Sequence, residues 1–333
     1  MPRSTNSMAE DALAAARYAL TEWDIDVASL EAASLTENIV FRVSASDGAN
    51  YVLRLHRPGY HTLDELLSEQ KWTAALTDAG IDVPVPRATR SGAGYTGVDV
   101  AGEHRYAGVL EWVEGETMSS LIEKSVDPDF TTTRFSQLGE IIATLHNQAT
   151  EWDPPPGFTR HSFDSDGLMG EKPFWGRFWE SPEANAKQQG ALATLRNRIY
   201  KVLASFSRER ELYSLIHADL HPGNIIVHGE RLHLIDFDDA GFGWHAYDLA
   251  VALTMDEQDT DFDTISEALY AGYRKHRQLD ERTLSAVPLF LVVRALVQTG
   301  WFAGRPEHKD RSYAPELIAY AIEHADEVLA NFT

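Results

Sequence analysis

Residues Leu215 to Asp248 read LIHADLHPGNIIVHGERLHLIDFDDAGFGWHAYD. An apolar run ends at His217-Ala218-Asp219-Leu220, and Asn224 follows five residues after Asp219. Two short apolar runs, Ile225 to Val227 and Leu232 to Ile235, flank the turn residues His228-Gly229-Glu230. Strand-like runs around a glycine-containing turn predict a hairpin. The two strands of such a ribbon lie side by side, so Asn224 and Asp236 come to the same end although twelve residues separate them. Two oxygen ligands converge there.

That set suits the transfer of a phosphoryl group. The transition state is loose and rich in charge, so a protein mainly supplies position and countercharge: magnesium on carboxylate and amide oxygens, and a carboxylate that accepts or orients a hydroxyl proton. The kinase pattern H-R-D-L-x-x-x-N is matched at His217 to Asn224 with Ala218 in place of arginine. The Asp-Phe-Gly motif has its counterpart in Asp236-Phe237-Asp238, seventeen residues after Asp219. Of the acids there, only Asp236 is expected to act; of Asp238 and Asp239, one is expected to cap the next turn and the other to be solvated.

The N-terminal third supplies matching parts. Ala9 to Leu20 can form an amphipathic helix. From Asn38 the period changes to two: Ile39, Phe41 and Val43 alternate with Val40, Arg42 and Ser44, Asp47-Gly48 offers a turn, and Tyr51, Leu53 and Leu55 return. Arg54 lies on the face opposite Leu53. Thr62-Leu63-Asp64-Glu65 is a capping box for a helix to about Ala79, with Gly80 placed to end it. Glu69 sits on that helix, fifteen residues after Arg54, and such a basic–acidic pair fixes the side chain that grips ATP phosphates in kinases. Two more strands, near Tyr95 to Val100 and Arg105 to Val113, lead to Leu110-Glu111-Trp112-Val113, where the backbone of Glu111 and Val113 is placed to meet adenine.

With these motifs the chain resembles the aminoglycoside phosphotransferase and choline kinase family, the small-molecule branch of the protein-kinase-like fold. The likeness rests on His217 to Asn224, Asp236 to Asp239 and Asp248 in Tyr247-Asp248-Leu249-Ala250; YVLRLHRPG and the helix with Glu69 are similar also to the bacterial stress-response kinase and homoserine kinase branches. The resemblance implies an α+β fold of two lobes, with a small antiparallel-sheet N-lobe carrying one helix and a larger, mainly helical C-lobe. It implies transfer of the γ-phosphoryl group of ATP, with Mg2+, to a hydroxyl of a small molecule: an aminoglycoside, a choline-like amine, homoserine or a sugar. Asp219 is then the catalytic base, Asn224 and Asp236 are the magnesium ligands, and His217 and Asp248 support the loop. Arg54 stands where that family most often has lysine, exchanging a compact ammonium for a planar fork. No G-x-G-x-x-G is present, and the turn containing Asn38 is the nearest counterpart of a phosphate-covering loop. No activation segment follows Asp236, which argues against an ordinary eukaryote-type protein kinase, although a Ser/Thr kinase of the stress-response type remains the alternative.

The remaining chain fits this frame. Phe135, Leu138, Ile141, Ile142 and Leu145 mark a helix with one buried face, and helices are expected near 183–206, 262–276, 281–301 and 314–331. Three prolines within Glu151 to Gly157 form an extended linker. The aromatic segment from Phe158 to Trp179 reads chiefly as packing, and with the helix ending near Trp301 it supplies candidate acceptor walls. The expected divisions are an N-terminal helix over 1–24, a nucleotide-binding lobe over 25–113 and a helical lobe over 114–333.

Composition narrows the partners. With 29 Lys+Arg against 51 Asp+Glu the formal charge is −22, which disfavours nucleic acid and anionic membrane and suits a cationic acceptor. No cysteine is present, so any metal must be held by oxygen or imidazole. The start has no signal-peptide or transit-peptide pattern, and the richest apolar stretch, Val287 to Val297, is broken by Pro288 and Arg294. The expectation is a cytoplasmic enzyme, monomeric or homodimeric. Two rivals remain: a metal-dependent hydrolase using His217, Asp219, His221 and the acids at 236, 238 and 239, and a pseudokinase that holds nucleotide without turnover.

Overall fold

The computed structural model describes residues 5–254, 261–305 and 311–332. The chain divides into two compact units: the first holds the chain up to Gly115 with Pro154–Thr159 and His233–Ile235, and the second holds Glu116–Asp153, Arg160–Leu232 and the chain from Asp236 onward.

Unit 1 begins with α1 (Thr5–Leu20), then β1 (Val27–Leu35), β2 (Ile39–Ala45), β3 (Asn50–Leu55), α2 (Leu63–Asp78), β4 (Pro86–Arg87), β5 (Thr96–Val100) and β6 (Glu103–Glu111). The strands form one antiparallel sheet in the order β1-β2-β3-β6-β4, with β5 also on β6. Alternation on β2 and β3 sends Phe41, Val43, Leu53 and Leu55 to one face. There Ala12, Ala16, Ala19 and Trp23, within and just after α1, pack with them in one buried cluster. Small alanine side chains let the helix lie close to the sheet, and the buried Trp23 indole donates to the carbonyl of Arg87 at 2.7 Å. β1 escapes the alternation reading: VASLEAASL is mostly exposed and carries two irregularities of register, which erase a period of two. The capping box forms as expected, Thr62 N–H donating to Glu65 Oε2 at 2.8 Å and Glu65 N–H to Thr62 Oγ1 at 3.3 Å.

Unit 2 is mainly helical. Its elements are β7 (Glu116–Thr117), α3 (Met118–Lys124), α4 (Pro128–Glu151), β8 (Ser162–Phe163), α5 (Ser165–Met169), α6 (Ala186–Ser205), β9 (Tyr213–Ile216), β10 (Ile225–His228), β11 (Arg231–Leu234, of which Arg231 and Leu232 fall in this unit), β12 (Gly241–Trp244), α7 (His245–Ala252), α8 (Phe262–Arg274), α9 (Glu281–Ala303) and α10 (Ala314–Ala330). The expected hairpin is β10–β11, turning at Gly229 with φ +61°, and β10 also pairs with β7. A further small sheet, β8-β12-β9, sets β12 antiparallel to β9. β12 is only GFGW, too short and glycine-rich to announce itself by period.

Helix α9 is long and apolar enough to cross a membrane by length and composition, but 72% of its apolar window is buried inside the protein. Helices α4 and α8 meet at glycines: a Cβ on Gly139 would lie 2.0 Å from the carbonyl oxygen of Leu269, and one on Gly272 would lie 1.8 Å from that of Ser136. The close approach matters because α4 carries His146 and α8 carries Tyr273, which meet below the functional loop. Gly139→Ala gains about 1 kcal/mol of helix propensity but forces two backbones apart, an overpacking cost of about 1–3 kcal/mol. Urea denaturation should show a net loss of stability; an unchanged or raised midpoint would contradict this packing.

Candidate active site

The loop after β9 takes a conformation that an L-residue resists. Ala218 has φ +66°, a left-handed backbone that costs on the order of 1–3 kcal/mol outside glycine. The fully buried carboxylate of Asp248, on the first turn of α7, compensates. Its Oδ2 accepts from the N–H of His217 at 3.0 Å and its Oδ1 from the N–H of Ala218 at 2.7 Å. Behind it, His146 Nε2 lies 3.3 Å from Oδ2 and His146 Nδ1 lies 2.9 Å from the Tyr273 hydroxyl. The His146 ring stacks on His245 at 4.1 Å, and His245 Nε2 bonds Ser214 Oγ at 2.7 Å. Burial lifts the Asp248 carboxyl above its usual range, against the pull of His217 and the two amides. Burial pushes both His146 and His245 well below the ordinary histidine value, so both are neutral.

The loop presents Asp219. Asn224 Nδ2 donates to Asp219 Oδ2 at 3.0 Å and to the Asp219 carbonyl at 2.9 Å, so the Asn224 amide oxygen lies outside this contact. The other carboxylate oxygen, Oδ1, pairs with the guanidinium of Arg294 on α9. Burial works to raise the Asp219 carboxyl, but Arg294 and His221 outweigh it and hold it well below the usual carboxylate range. His217 accepts from the Asp219 N–H through Nδ1 at 3.4 Å, and its ring rests on Phe237 at 4.5 Å. No three of His217, Asp219, His221, Asp236, Asp238 and Asp239 bring ligand atoms within 4.8 Å of one another, so the hydrolase cluster does not form.

Asp236 follows the hairpin with φ 65° and ψ 65°, a second left-handed residue, exposed at the start of a short 3-10 turn, Phe237–Asp239. Buried Arg160 ties that turn down by donating to the carbonyls of Phe237, Asp238 and Ala240. The expectation for Asp238 and Asp239 is corrected here. Asp238 is buried, and Asp239 is half-buried and accepts from the Trp175 indole at 3.3 Å, so neither stands free in solvent. The turn that holds both acids is tied down by Arg160 and His161 from elsewhere in the chain, which residue type alone does not reveal.

Asp219 and Asp239 open into a pocket of about 210 Å³ that unit 2 builds on its own. Trp175 and His221 form part of its wall, and α9 lines it with Arg294, Val297, Gln298, Trp301 and Phe302. Gly176 and Gly300 bring the Trp175 segment against α9, since a Cβ on Gly300 would sit 2.6 Å from the Gly176 carbonyl oxygen. Of the six aromatics between Phe158 and Trp179, Trp175 alone reaches this pocket; Phe163 and Phe178 are core. Arg294 and Arg160 escaped the sequence reading because their partners lie far along the chain. The available signal was a lone arginine inside the apolar run of α9.

In unit 1, Arg54 is half-buried at the centre of the sheet, opposite Val40 of β2 and Gly108 of β6. Glu69 is half-buried on α2. Asn38 closes the turn between β1 and β2, where its Oδ1 accepts from the N–H of Arg57 at 2.9 Å while Arg57 pairs with Glu37 at 2.7 Å. Glu111 ends β6 with its N–H donating to Val85 at 2.9 Å, and Val113 follows two residues on.

An α+β chain with an antiparallel sheet unit, a helical unit and a loop of this design has the protein-kinase-like fold of small-molecule phosphotransferases. Residues 30–281 match the profile of the phosphotransferase enzyme family, and the chain belongs to that family. It superposes on the structure of a microcompartment-associated aminopropanol kinase with a TM-score of 0.81 and 32% identity, covering 96% of this chain and 98% of that one. The amicoumacin kinase hAmiN, solved with AMP-PNP, Ca2+ and Ami, shares the fold at a TM-score of 0.76 and 18% identity, over 97% of this chain and 94% of that one. The homoserine kinase of Parvibaculum lavamentivorans (strain DS-1 / DSM 13023 / NCIMB 13966) is 30% identical over 225 residues, 64% of this chain and 61% of that protein.

Two outcomes test the loop's support. Asp248→Ala leaves two buried N–H groups without an acceptor, each worth about 1–3 kcal/mol, so the denaturation midpoint should fall sharply; a fall below 1 kcal/mol would contradict the role of this carboxylate. Neutral burial of His146 and His245 has a defined sign. Below about pH 6.5 the unfolded chain takes up protons that the folded unit refuses, so stability is full above that value and declines by up to about 1.4 kcal/mol per pH unit for each histidine. Asp248, with its raised folded value, offsets part of the decline. Urea midpoints between about pH 7.5 and pH 5.5 should fall; constant or rising midpoints would exclude neutral burial.

Proposed function

We propose that this protein is an ATP- and Mg2+-dependent kinase that phosphorylates the hydroxyl group of a small amine-bearing alcohol in the cytoplasm. The observation that carries the reading is the Asp219 carboxylate, held ionised between Arg294 and Asn224 and opening into a pocket lined by aromatic and acidic side chains. In this reading Asp219 accepts the hydrogen bond of the acceptor hydroxyl and aims its oxygen, receiving the proton as the new P–O bond forms. His217 and Asp248 act through the loop. Arg54, supported by Glu69, contacts the phosphates; the Asn38 turn covers them; and the backbone of Glu111 and Val113 meets adenine.

The donor set fits a hard divalent cation. The Asn224 amide oxygen and the Asp236 carboxylate are oxygen ligands of the kind magnesium takes, and the bound ion would draw charge from the phosphate oxygens. The nucleotide and Ca2+ named in the hAmiN structure support nucleotide and divalent-metal use by this fold.

Pocket size selects among acceptors. Sites for drug-sized ligands run at about 300–1,000 Å³. At about 210 Å³ this one suits an amino alcohol better than an aminoglycoside. The Asp239 carboxylate on the pocket wall favours an ammonium group. An aminopropanol kinase at 32% identity, nearly the full length of both chains, supports the same class.

The test is a coupled ADP assay with ATP and Mg2+ across small amino alcohols, homoserine, choline, an aminoglycoside and a serine-rich protein. The highest kcat/KM is expected for a small amino alcohol, and Asp219→Asn should lower kcat by about 10²–10⁴-fold. Preference for the protein substrate, or full turnover by Asp219→Asn, would overturn the reading.

A further inference from the structure

Arg294 is the one feature of the pocket that no motif announces. It stands in the middle of a buried apolar helix and is itself 6% exposed. Its guanidinium reaches Asp219 Oδ1 and sits over the Trp175 ring, 5.7 Å from the centroid, with the fully buried Tyr247 phenol close enough for the two groups to influence each other. Asn224 holds the opposite carboxylate oxygen at 3.0 Å. A carboxylate gripped at both oxygens can neither spin about its Cβ–Cγ bond nor swing to another rotamer. About four lone-pair sites are available to it, and two remain for an incoming hydroxyl.

A stability role alone does not explain the arginine. Replacing both partners of a buried ion pair with apolar residues is often neutral or stabilising, so such a pair is weak evidence of a stability role, whereas removing one partner alone is strongly destabilising because the other charge stays behind unpaired. α9 supplies apolar residues at Val292, Val293 and Leu296 around the same position. One planar fork aimed at one carboxylate is instead what orientation requires.

We propose that Arg294 is a positioning residue for phosphoryl transfer: its guanidinium fixes the plane of the Asp219 carboxylate so that the remaining lone pairs face the acceptor hydroxyl. The proposal rests on the kinase reading above. α9 also lines the pocket with Gln298 and Trp301, one and two helical turns beyond Arg294, so a single rigid helix sets both the acceptor's seat and the direction of the carboxylate it must meet. In a loose transition state the proton leaves late, so a weakly basic, firmly aimed carboxylate serves as well as a strong base.

The experiment uses the full-length protein with an acceptor for which the wild type has already shown turnover; absence of any such acceptor would defeat the kinase reading, not this one. Arg294→Met keeps the volume and removes the fork. Removing one partner of the pair should lower the melting temperature, but the folded variant should keep a KM for ATP within about threefold, while kcat falls by about 10²-fold, the scale of a misaimed reacting group. Arg294→Met at full kcat, or with its whole effect in the KM for ATP, would overturn the proposal. Should Arg294→Met fail to fold, Arg294→Lys decides: a kcat reduced about tenfold or more supports the fork, and wild-type kcat overturns it. The double variant Arg294→Met/Asp219→Asn adds a further arm. A residue acting only through Asp219 leaves the double variant no slower than Asp219→Asn alone, and multiplied losses would overturn the assignment.

Discussion

The Asp248 carboxylate accepts hydrogen bonds from two consecutive amides, His217 at 3.0 Å and Ala218 at 2.7 Å, and the geometry of the loop depends on that pair. Two adjacent N–H groups can point at one carboxylate only if the backbone between them turns, and the turn puts Ala218 at φ +66°. The next residue is Asp219. A buried anion, an unfavourable backbone and an aimed carboxylate are thus one arrangement. The neutral histidines behind it add no charge, and glycine contacts between α4 and α8 bring Tyr273 to His146. Local strain stored beside a reacting group and held by its surroundings is a common plan for active sites.

Much of this was legible in the order of residues. Both hairpins, β2–β3 and β10–β11, follow from alternation around glycine turns, and the α2 capping box formed with both reciprocal bonds. The loop motif was legible because its parts lie within eight residues and the hairpin returns the chain to Asp236. Elements without periodic signal were not: β1 is exposed and irregular in register, and β12 is four residues with two glycines. Long-range pairs were equally hidden. Arg294 finds Asp219 across 75 positions, and Arg160 finds the Phe237–Asp239 turn across about 78, so neither could be inferred from spacing. Asp238 and Asp239 show the limit from the other side, since an acid's burial depends on neighbours that a local reading does not contain.

The excess acid of the chain also takes on a more specific meaning. A formal charge of −22 says little by itself about a phosphotransferase site. Within unit 2, however, the charges near the pocket differ in their partners: Arg294 pairs with Asp219, Arg160 donates to the carbonyls of Phe237, Asp238 and Ala240, and Asp239 accepts from the Trp175 indole. The pocket therefore combines one acid paired with a guanidinium and one acid hydrogen-bonded to an indole N–H.

The most direct measurement is amide hydrogen exchange at His217 and Ala218 in the intact wild-type protein. If Asp248 holds the loop, both amides exchange only through the cooperative opening of unit 2, at the rate of core amides such as those of β9, with or without nucleotide. Exchange at these two positions within seconds, while the β9 amides stay protected and the protein still turns over, would show that the loop works without the hydrogen bonds on which this account rests.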